Sequence, residues 1–381
     1  MKTHLKIYPV AVFILAVFIS AGKLYAQNDA AKFVNSGIES EQNGNFEEAI
    51  FYYTMAIQTN SSYPDGYFHR GNVYLRQKNI SGALGDYNKT LQLDPKHSEC
   101  YFKRGMIYLD AKNYKNAVYD FSKVIEIDPA KTEAYYNRGY ANLQQNKVED
   151  AIVDYTKAIE QDPSKPEAYL YRGNLYMQIN DYAKAIGDLS KAIETDPNSG
   201  ELYKARGTAY FKMKDWVNAV SDLNKAIEFD AGNGDLYMMR GLCAVEQKDF
   251  SGAVPDLSKA IELNPNCEEC YYNRGRIYTD MNDYPSALID FGKALDLNPK
   301  SERTYINRGY IYLEMKSYLN AISDFLKAIE INPNSVFGHS NLGIAYFNTG
   351  NKDMAVESFK KAAQLGDTDA QDWLRSNGLN W

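Results

Sequence analysis

The sequence predicts an all-α protein built from ten tandem pairs of helices. Glycine recurs ten times at a constant interval of 34 residues, and an alanine follows each glycine twelve residues later. The glycines are Gly37, Gly71, Gly105, Gly139, Gly173, Gly207, Gly241, Gly275, Gly309 and Gly343, and the alanines are Ala49, Ala83, Ala117, Ala151, Ala185, Ala219, Ala253, Ala287, Ala321 and Ala355. A fixed period of this length indicates a repeat architecture in which each unit packs mainly against its neighbours.

Each repeat contains two segments whose apolar residues recur at helical spacing. In the second repeat they predict one helix from Asp65 to Lys78 and another from Ile80 to Leu93. Pro95 ends the second helix, because the residue before a proline avoids helical angles. A glycine inside a helix costs about 1 kcal/mol relative to alanine. We therefore expect each glycine to let a neighbouring helix approach closely, with the repeated alanine of the second helix as its small partner.

The second repeat also carries a set of aromatic, small and proline residues, namely Tyr67, Arg70, Gly71, Tyr74, Ala83, Tyr87 and Pro95. Together with the period of 34, this set resembles the tetratricopeptide repeat (TPR) family over residues 30–369. The resemblance implies an α-α superhelix of antiparallel helix pairs. It also implies a concave groove, lined mainly by the first helices, that binds peptides or helices of partner proteins. Apolar Trp373 and Leu374 predict a further helix from Asp369 to Ser376, within a C-terminal capping segment of residues 370–381.

Four features depart from the family pattern. An arginine precedes the glycine in eight repeats, where the family carries a large apolar residue, and we assign the chain to an Arg-Gly subtype. Ala231 replaces the proline that ends a repeat, and Pro255 is expected to bend a second helix near its start. Asn142 and Ala244 replace the aromatic residue seen at Tyr74, so we expect looser packing in repeats four and seven.

Residues 1–26 have the three regions of a secretory signal peptide. Two lysines come first, an apolar run covers residues 10–19, and cleavage is expected after Ala26. Cleavage after Gly22 is one alternative. An uncleaved N-terminal anchor is another, although the apolar run is shorter than the about 20 residues that span a membrane easily. The sequence therefore predicts export to the periplasm or the extracellular space.

The chain is acidic, with 49 acidic against 42 basic residues and a formal net charge of -7. Removal of the signal would take away three lysines and no acid, and would make the charge more negative. Because an acidic surface repels phosphate backbones, nucleic acid is not an expected partner. A protein or peptide partner is expected. Self-association stays open, and membrane contact is expected only if the N-terminal segment remains uncleaved.

Each of the eight arginines is followed by an aspartate sixteen residues later. The pairs are Arg70 and Asp86, Arg104 and Asp120, Arg138 and Asp154, Arg172 and Asp188, Arg206 and Asp222, Arg240 and Asp256, Arg274 and Asp290, and Arg308 and Asp324. The two outer repeats lack both members. We infer that each arginine bonds the aspartate of its own repeat as a bidentate fork that fixes the register of the two helices. The alternative is a pair between the aspartate and the lysine three residues later on the same helix.

The residues three before and one after each glycine lie on one side of the first helix. The resemblance places this side in the groove, with candidate partner-binding residues Phe68, Asn72, Phe102, Met106, Tyr136, Tyr140, Asn174, Tyr272, Arg276 and Tyr310. Aromatic, apolar and amide side chains suit peptide capture. The alternative is that many of them pack against the adjacent repeat.

The sequence shows no motif for catalysis, a cofactor or a metal. Cys267 and Cys270 have the spacing of redox motifs at the start of a helix, but no thioredoxin-like strand pattern surrounds them. A passive disulfide and free thiols are the alternatives to redox activity. We expect a non-enzymatic, exported scaffold or adaptor that binds proteins through its groove. The alternative function is a structural component of a cell-envelope assembly, formed through contacts between arrays.

Overall fold

The computed structural model describes residues 27–381, so the predicted signal peptide lies outside the described residues. Residues 27–381 form 21 α-helices and include no strand. Contacts divide the chain into two compact units, one ending at Leu175 and the other comprising Tyr176–Trp381. Each unit is a stack of helix pairs, which confirms the predicted all-α repeat fold.

The first helix of each repeat has an odd number and the second an even number. The helices are α1 (27–42), α2 (Phe46–Thr59), α3 (Pro64–Arg76), α4 (Ile80–Leu93), α5 (Ser98–Asp110), α6 (Tyr114–Ile127), α7 (Thr132–Leu143), α8 (Val148–Gln161), α9 (Pro166–Gln178), α10 (Tyr182–Thr195), α11 (Gly200–Lys212), α12 (Trp216–Phe229), α13 (Gly234–Glu246), α14 (Phe250–Leu263), α15 (Glu268–Asp280), α16 (Tyr284–Leu297), α17 (Glu302–Glu314), α18 (Tyr318–Ile331), α19 (Val336–Asn348), α20 (Lys352–Gln364) and α21 (Thr368–Ser376). None of these helices is long and apolar enough to cross a bilayer.

The repeated glycines lie where the first helix meets a large side chain of the second helix. A methyl group on Gly309 would lie 2.7 Å from Cε1 of Phe325, and one on Gly105 would lie 3.0 Å from Cε1 of Phe121. The nearest group at these two glycines is the side chain sixteen residues after the glycine, whereas at Gly207 the backbone oxygen of Ala219, the repeated alanine, also lies 3.5 Å from the position of a methyl group. The ten alanines are themselves fully buried.

The first helix of the second repeat ends two residues earlier than predicted. Helix α3 ends at Arg76, and Lys78 has a φ of 61°, in the left-handed region. The amide of Asn79 donates to the carbonyl of Tyr74 at 2.8 Å and closes the turn. The equivalent residue has a positive φ in every repeat, as lysine or asparagine in the inner eight and glycine in the outer two. A residue other than glycine in this conformation costs roughly 1 kcal/mol.

Nine of the ten second helices end at an aspartate or asparagine, and α20 ends at Leu365. After α4, Asp94 has an extended φ of -128°, and its carboxylate accepts the N–H of Lys96 at 2.9 Å. Helix α12 ends in the same way although Ala231 stands where other repeats have proline. A proline after the polar residue is therefore not needed to end the helix, because Asp230 itself adopts non-helical φ and ψ angles. Helix α14 continues through Pro255 as a single element.

Helix α21 covers the last repeat. It begins at Thr368, one residue before the predicted start, because the side chain of Asp367 caps its first turn. The ring of Trp373 lies 4.4 Å from the ring of Phe359, and Leu374 is fully buried. The helix thus shields apolar side chains that the last repeat would otherwise expose.

Candidate functional site

Arginine and aspartate of the same repeat form bidentate ion pairs. Nε and Nη2 of Arg104 donate to the two carboxylate oxygens of Asp120 at 2.8 and 2.7 Å, and Asp120 is fully buried. The same pairing joins Arg70 to Asp86, Arg138 to Asp154, Arg206 to Asp222, Arg240 to Asp256, Arg274 to Asp290 and Arg308 to Asp324. Arg172 and Asp188 belong to different units. The lysine after the aspartate instead bonds a residue further along its helix, as Lys123 does with Glu126 at 2.6 Å and Lys89 does with Gln92 at 3.1 Å.

The third guanidinium nitrogen links one repeat to the repeat before it. Nη1 of Arg104 donates to Oδ1 of Asn88 at 2.6 Å. The acceptors lie sixteen residues before each arginine and are Thr54, Asn88, Ser122, Thr156, Ser190, Asn224 and Ser258. The sequence-based prediction missed this contact, although hydroxyl and amide residues recur at that position. Six of these arginines therefore join their own first helix to two second helices, namely Arg70, Arg104, Arg138, Arg206, Arg240 and Arg274.

Arg308 makes the fork to Asp324 without the third bond, because Gly292 stands at the acceptor position. A methyl group on Gly292 would have nothing within 4 Å, so a side chain fits there. We predict that Gly292→Ser raises the free energy of unfolding by about 1–2 kcal/mol, since it improves helix propensity and supplies an oxygen to a charged donor.

Gly292→Ala is the control for this prediction, measured by urea denaturation. Alanine is the better helix former by about 0.5 kcal/mol, so propensity alone would make the alanine variant the more stable one. If the serine hydroxyl accepts a hydrogen bond from Arg308, the serine variant should instead be more stable than the alanine variant. A serine variant no more stable than the alanine variant would contradict it.

Repeats four and seven have cavities beside the ion pair. In the second repeat, the guanidinium carbon of Arg70 lies 5.8 Å from the ring centroid of Tyr74. Asn142 and Ala244 are too small to fill the equivalent space, and cavities of about 300 Å³ are present in both repeats. Asn142 donates a hydrogen bond to the aspartate of its repeat at 3.0 Å. The looser packing predicted for these repeats takes the form of these cavities.

The candidate groove residues three before the glycine pack within the array. Phe68 is buried, with its ring 4.4 Å from the ring of His97, which caps the start of α5. Tyr272 is buried, with the guanidinium carbon of Arg303 4.1 Å from its ring centroid. Phe102 and Tyr136 are half-buried, and each contacts a ring of its own second helix. These four residues contribute mainly to contacts between helices.

The candidate groove residues directly after the glycine are accessible to solvent. Asn174, Arg276 and Tyr310 are exposed, and Asn72, Met106 and Tyr140 are half-buried. Tyr310 has 44% of its surface exposed. Asn72 is already engaged, because its Oδ1 accepts the hydroxyl of Tyr87 at 2.8 Å. This side of the first helices therefore offers aromatic, amide and cationic groups to a partner.

Tyrosines of α7, α8 and α9 form a cluster that is centred on the buried Tyr155. Tyr155 stacks on Tyr171 with ring centroids 5.6 Å apart, and Tyr136 meets Tyr155 edge-on at 5.7 Å. The Tyr155 hydroxyl is buried without a hydrogen-bond partner, since Tyr140 stands where the second repeat has Asn72. Burial raises the pKa of this hydroxyl, so it stays neutral.

The cysteines fall into two groups. A disulfide joins Cys267 to Cys270 at the start of α15, which is one of the alternatives that the sequence left open. Sγ of Cys267 also accepts the N–H of Cys270 at 3.1 Å. Cys100 and Cys243 are free and buried, and burial raises their thiol pKa values to about 12 and about 11. Within residues 27–381, no group of His, Cys, Asp and Glu side chains could hold a metal ion.

Comparison with known proteins gives one consistent family. Tetratricopeptide repeat models match residues 64–97, 166–199, 234–267, 268–301, 302–335 and 325–357, and a TPR repeat model matches residues 105–146 and 142–180. No curated protein sequence matches this chain.

Three solved structures illustrate the similarity. YrrB, described as a TPR protein with an unusual peptide-binding site, is 27% identical over 48% of this chain and 95% of its own, with a TM-score of 0.44. The C-terminal part of a TPR repeat-containing protein from Cytophaga hutchinsonii is 18% identical over 63% of this chain and 99% of its own, with a TM-score of 0.55. A tetratricopeptide repeat protein from Parabacteroides merdae is 20% identical over 65% of this chain and 98% of its own, with a TM-score of 0.47.

Proposed function

Because the chain belongs to the tetratricopeptide repeat family, we propose that it is an exported, non-enzymatic scaffold that holds a partner protein or peptide against one side of its first helices. One observation carries the proposal. Four of the residues directly after the repeated glycines are exposed and the other six are half-buried, whereas none of the residues three before a repeated glycine is exposed. Asn174, Arg276 and Tyr310 are the most accessible of the candidate residues and are the proposed contacts.

The last repeat supports the use of this side. Phe337 and Ile344 are exposed, and together with Ser340 and Asn341 they line a cavity of about 550 Å³. Ser340 and Ile344 occupy the positions three before and one after the glycine of this repeat. A concave site with apolar walls and a few polar groups is the usual form of a ligand site. We therefore include these residues in the proposed partner-binding side.

Site-specific photo-crosslinking in the native host tests this function. A benzophenone side chain in place of Tyr310 should give a discrete adduct with the partner, because this position is exposed on the proposed side. Arg276→Ala should reduce the yield of that adduct. The matched control is the same side chain in place of Val217, which is 74% exposed on a second helix. Equal adducts at both positions, or an adduct at the control alone, would contradict binding by the first helices.

Export is the part of the proposal that rests on residues 1–26. N-terminal sequencing of the protein from the periplasmic fraction or the medium should begin at Gln27. A start at Lys23 would support the alternative cleavage site and still agree with export. An intact Met1 in the membrane fraction would contradict release and support the uncleaved anchor.

Exposed apolar side chains favour a second candidate function, a structural component joined by contacts between arrays. Phe51, Tyr119 and Val153 have 59%, 55% and 61% of their surfaces exposed, and all occupy the same position on second helices of the first unit. Recurrent exposed apolar groups are typical of association surfaces. Sedimentation of the wild-type chain and of Phe51→Ser with Tyr119→Ser tests it. Self-association that the double variant loses would favour this function, and a wild-type monomer would exclude it.

A further inference from the structure

Repeat ten lacks the entire polar arrangement that the inner repeats build around arginine. Leu326 occupies the acceptor position, Leu342 the arginine position and Ser358 the aspartate position. A cavity of about 640 Å³ lies there, between α18 and α20, with α19 contributing His339, Leu342 and Tyr346. It has about twice the volume of the cavities in repeats four and seven, which still contain their ion pairs.

Apolar side chains form much of the wall of this cavity and reach its opening. Leu326, Ile329, Leu342, Tyr346 and Met354 line it. Leu326 and Met354 have 45% and 39% of their surfaces exposed, so the apolar surface reaches the solvent. A side chain entering between the two second helices would therefore bury apolar surface on both sides.

The rim of the cavity carries two lysines, and the acid that pairs with the second-helix lysine in other repeats is absent from repeat ten. In repeats three to nine, a lysine of the second helix pairs with an acid three residues later, as Lys327 does with Glu330 at 2.7 Å. In repeat ten the lysine is Lys361, and Gln364 stands at the position of the acid. Within the described part of the chain, neither Lys360 nor Lys361 forms an ion pair. Both lysines line the cavity.

We propose that this cavity is a second docking site, for an acidic peptide segment of a partner protein that carries one bulky apolar side chain. The apolar side chain lies between Leu326 and Leu342, and flanking carboxylates pair with Lys360 and Lys361. Glu357 is the single acid among the lining residues, so the lysines give the rim a net attraction for negative charge. An apolar anchor surrounded by a charged rim is a common arrangement at protein interfaces. The site is on the second-helix side and does not depend on binding by the first helices.

Fluorescence anisotropy with synthetic peptides tests the proposal on the mature chain. The probes are fluorescein-labelled seven-residue peptides with leucine, phenylalanine, tryptophan or methionine at the centre and glutamate on both sides. We expect saturable binding of at least one of them. A central serine, or lysines in place of the glutamates, should weaken binding by about tenfold or more.

Three variants locate the binding. Leu342→Arg with Ser358→Asp and Leu326→Thr restores the residue types of the inner repeats and fills the cavity. It should keep its urea midpoint and weaken binding by about tenfold or more. Lys361→Glu, a surface substitution, should also weaken binding without affecting the fold. Phe337→Ser on the first-helix side is the matched control, and it should leave the affinity unchanged.

Several outcomes would overturn the proposal. They are unchanged affinity in the folded triple variant, loss of affinity in Phe337→Ser alone, and no peptide binding up to about 1 mM. Decanoate is the test for a small amphiphile at the same place. Decanoate binding that the triple variant abolishes, together with no binding of any peptide, would assign the cavity to an amphiphile and would overturn the peptide proposal.

Discussion

Asp222→Ala is expected to lower the free energy of unfolding by about 3 kcal/mol, the lower end of the range for a broken buried ion pair. Nε and Nη2 of Arg206 each donate to Asp222 at 2.8 Å, and only 4% of the Asp222 surface is exposed. Hydrogen bonding to this carboxylate raises the pKa of Arg206 in the wild-type chain. The guanidinium also stays charged when the aspartate is removed, because arginine is not deprotonated in folded proteins even without a partner. The lower end applies because Arg206 keeps its bond to Ser190. Urea denaturation followed by tryptophan fluorescence measures the loss.

The chain itself supplies the control for this prediction. Arg206→Leu with Asp222→Ser reproduces the residues of repeat ten and leaves no charge buried, so it should cost much less than the single substitution. Lys225→Ala removes an exposed ion pair with Glu228 on the same helix and should change stability little. Equal losses in the single and the double variant would show that an unpaired charge is not the cause.

Gly309→Ala is expected to lower the free energy of unfolding by about 1–3 kcal/mol, even though alanine is the better helix former. The new methyl group would lie 2.7 Å from Cε1 of Phe325 and 3.0 Å from its Cδ1 and Cζ. Phe325 is fully buried, so its ring cannot move aside without displacing other core side chains. The urea midpoint and the thermal transition should both fall.

Gly187→Ala is the matched control, because it makes the same substitution at an exposed helical glycine with nothing within 4 Å of the new methyl group. It should raise the free energy of unfolding by up to about 1 kcal/mol through helix propensity alone. Opposite signs at the two positions would show that close contact with Phe325 decides the effect. Stabilisation at both positions would contradict the close contact.

The helix pairs could be predicted from the sequence because the 34-residue interval between glycines and the helical spacing of apolar residues indicate the same pairs of helices. Two details of these pairs could not be predicted. The conformation of Lys78 was missed because lysine normally avoids positive φ, and the closing hydrogen bonds of the turn impose it. The large ring opposite Gly309 was missed because a small residue shows that something lies close but does not identify it.

The candidate site was predictable to a smaller degree. The joint loss of arginine and aspartate in the outer repeats identified which residues belong together, and Arg104 lies against Asp120. The acceptor on the previous repeat was missed because Ser, Thr and Asn are also common on solvated helix faces. The burial of Phe68 and Tyr272 was not predictable from helical spacing, since the first helix contacts neighbours on several sides.

Hydrogen bonds from arginine Nη1 connect neighbouring repeats in one part of the second unit and are absent from the other part, so the two parts should differ in mobility. Arg206, Arg240 and Arg274 each tie their repeat to the preceding second helix, whereas Arg308 and Leu342 form no such bond. In a linear array, opening begins where neighbours hold each other least. Repeats nine and ten should therefore exchange their amide hydrogens earlier than repeats six to eight. The end of the array that contains the apolar cavity could then adjust to a ligand while the remaining repeats keep their shape.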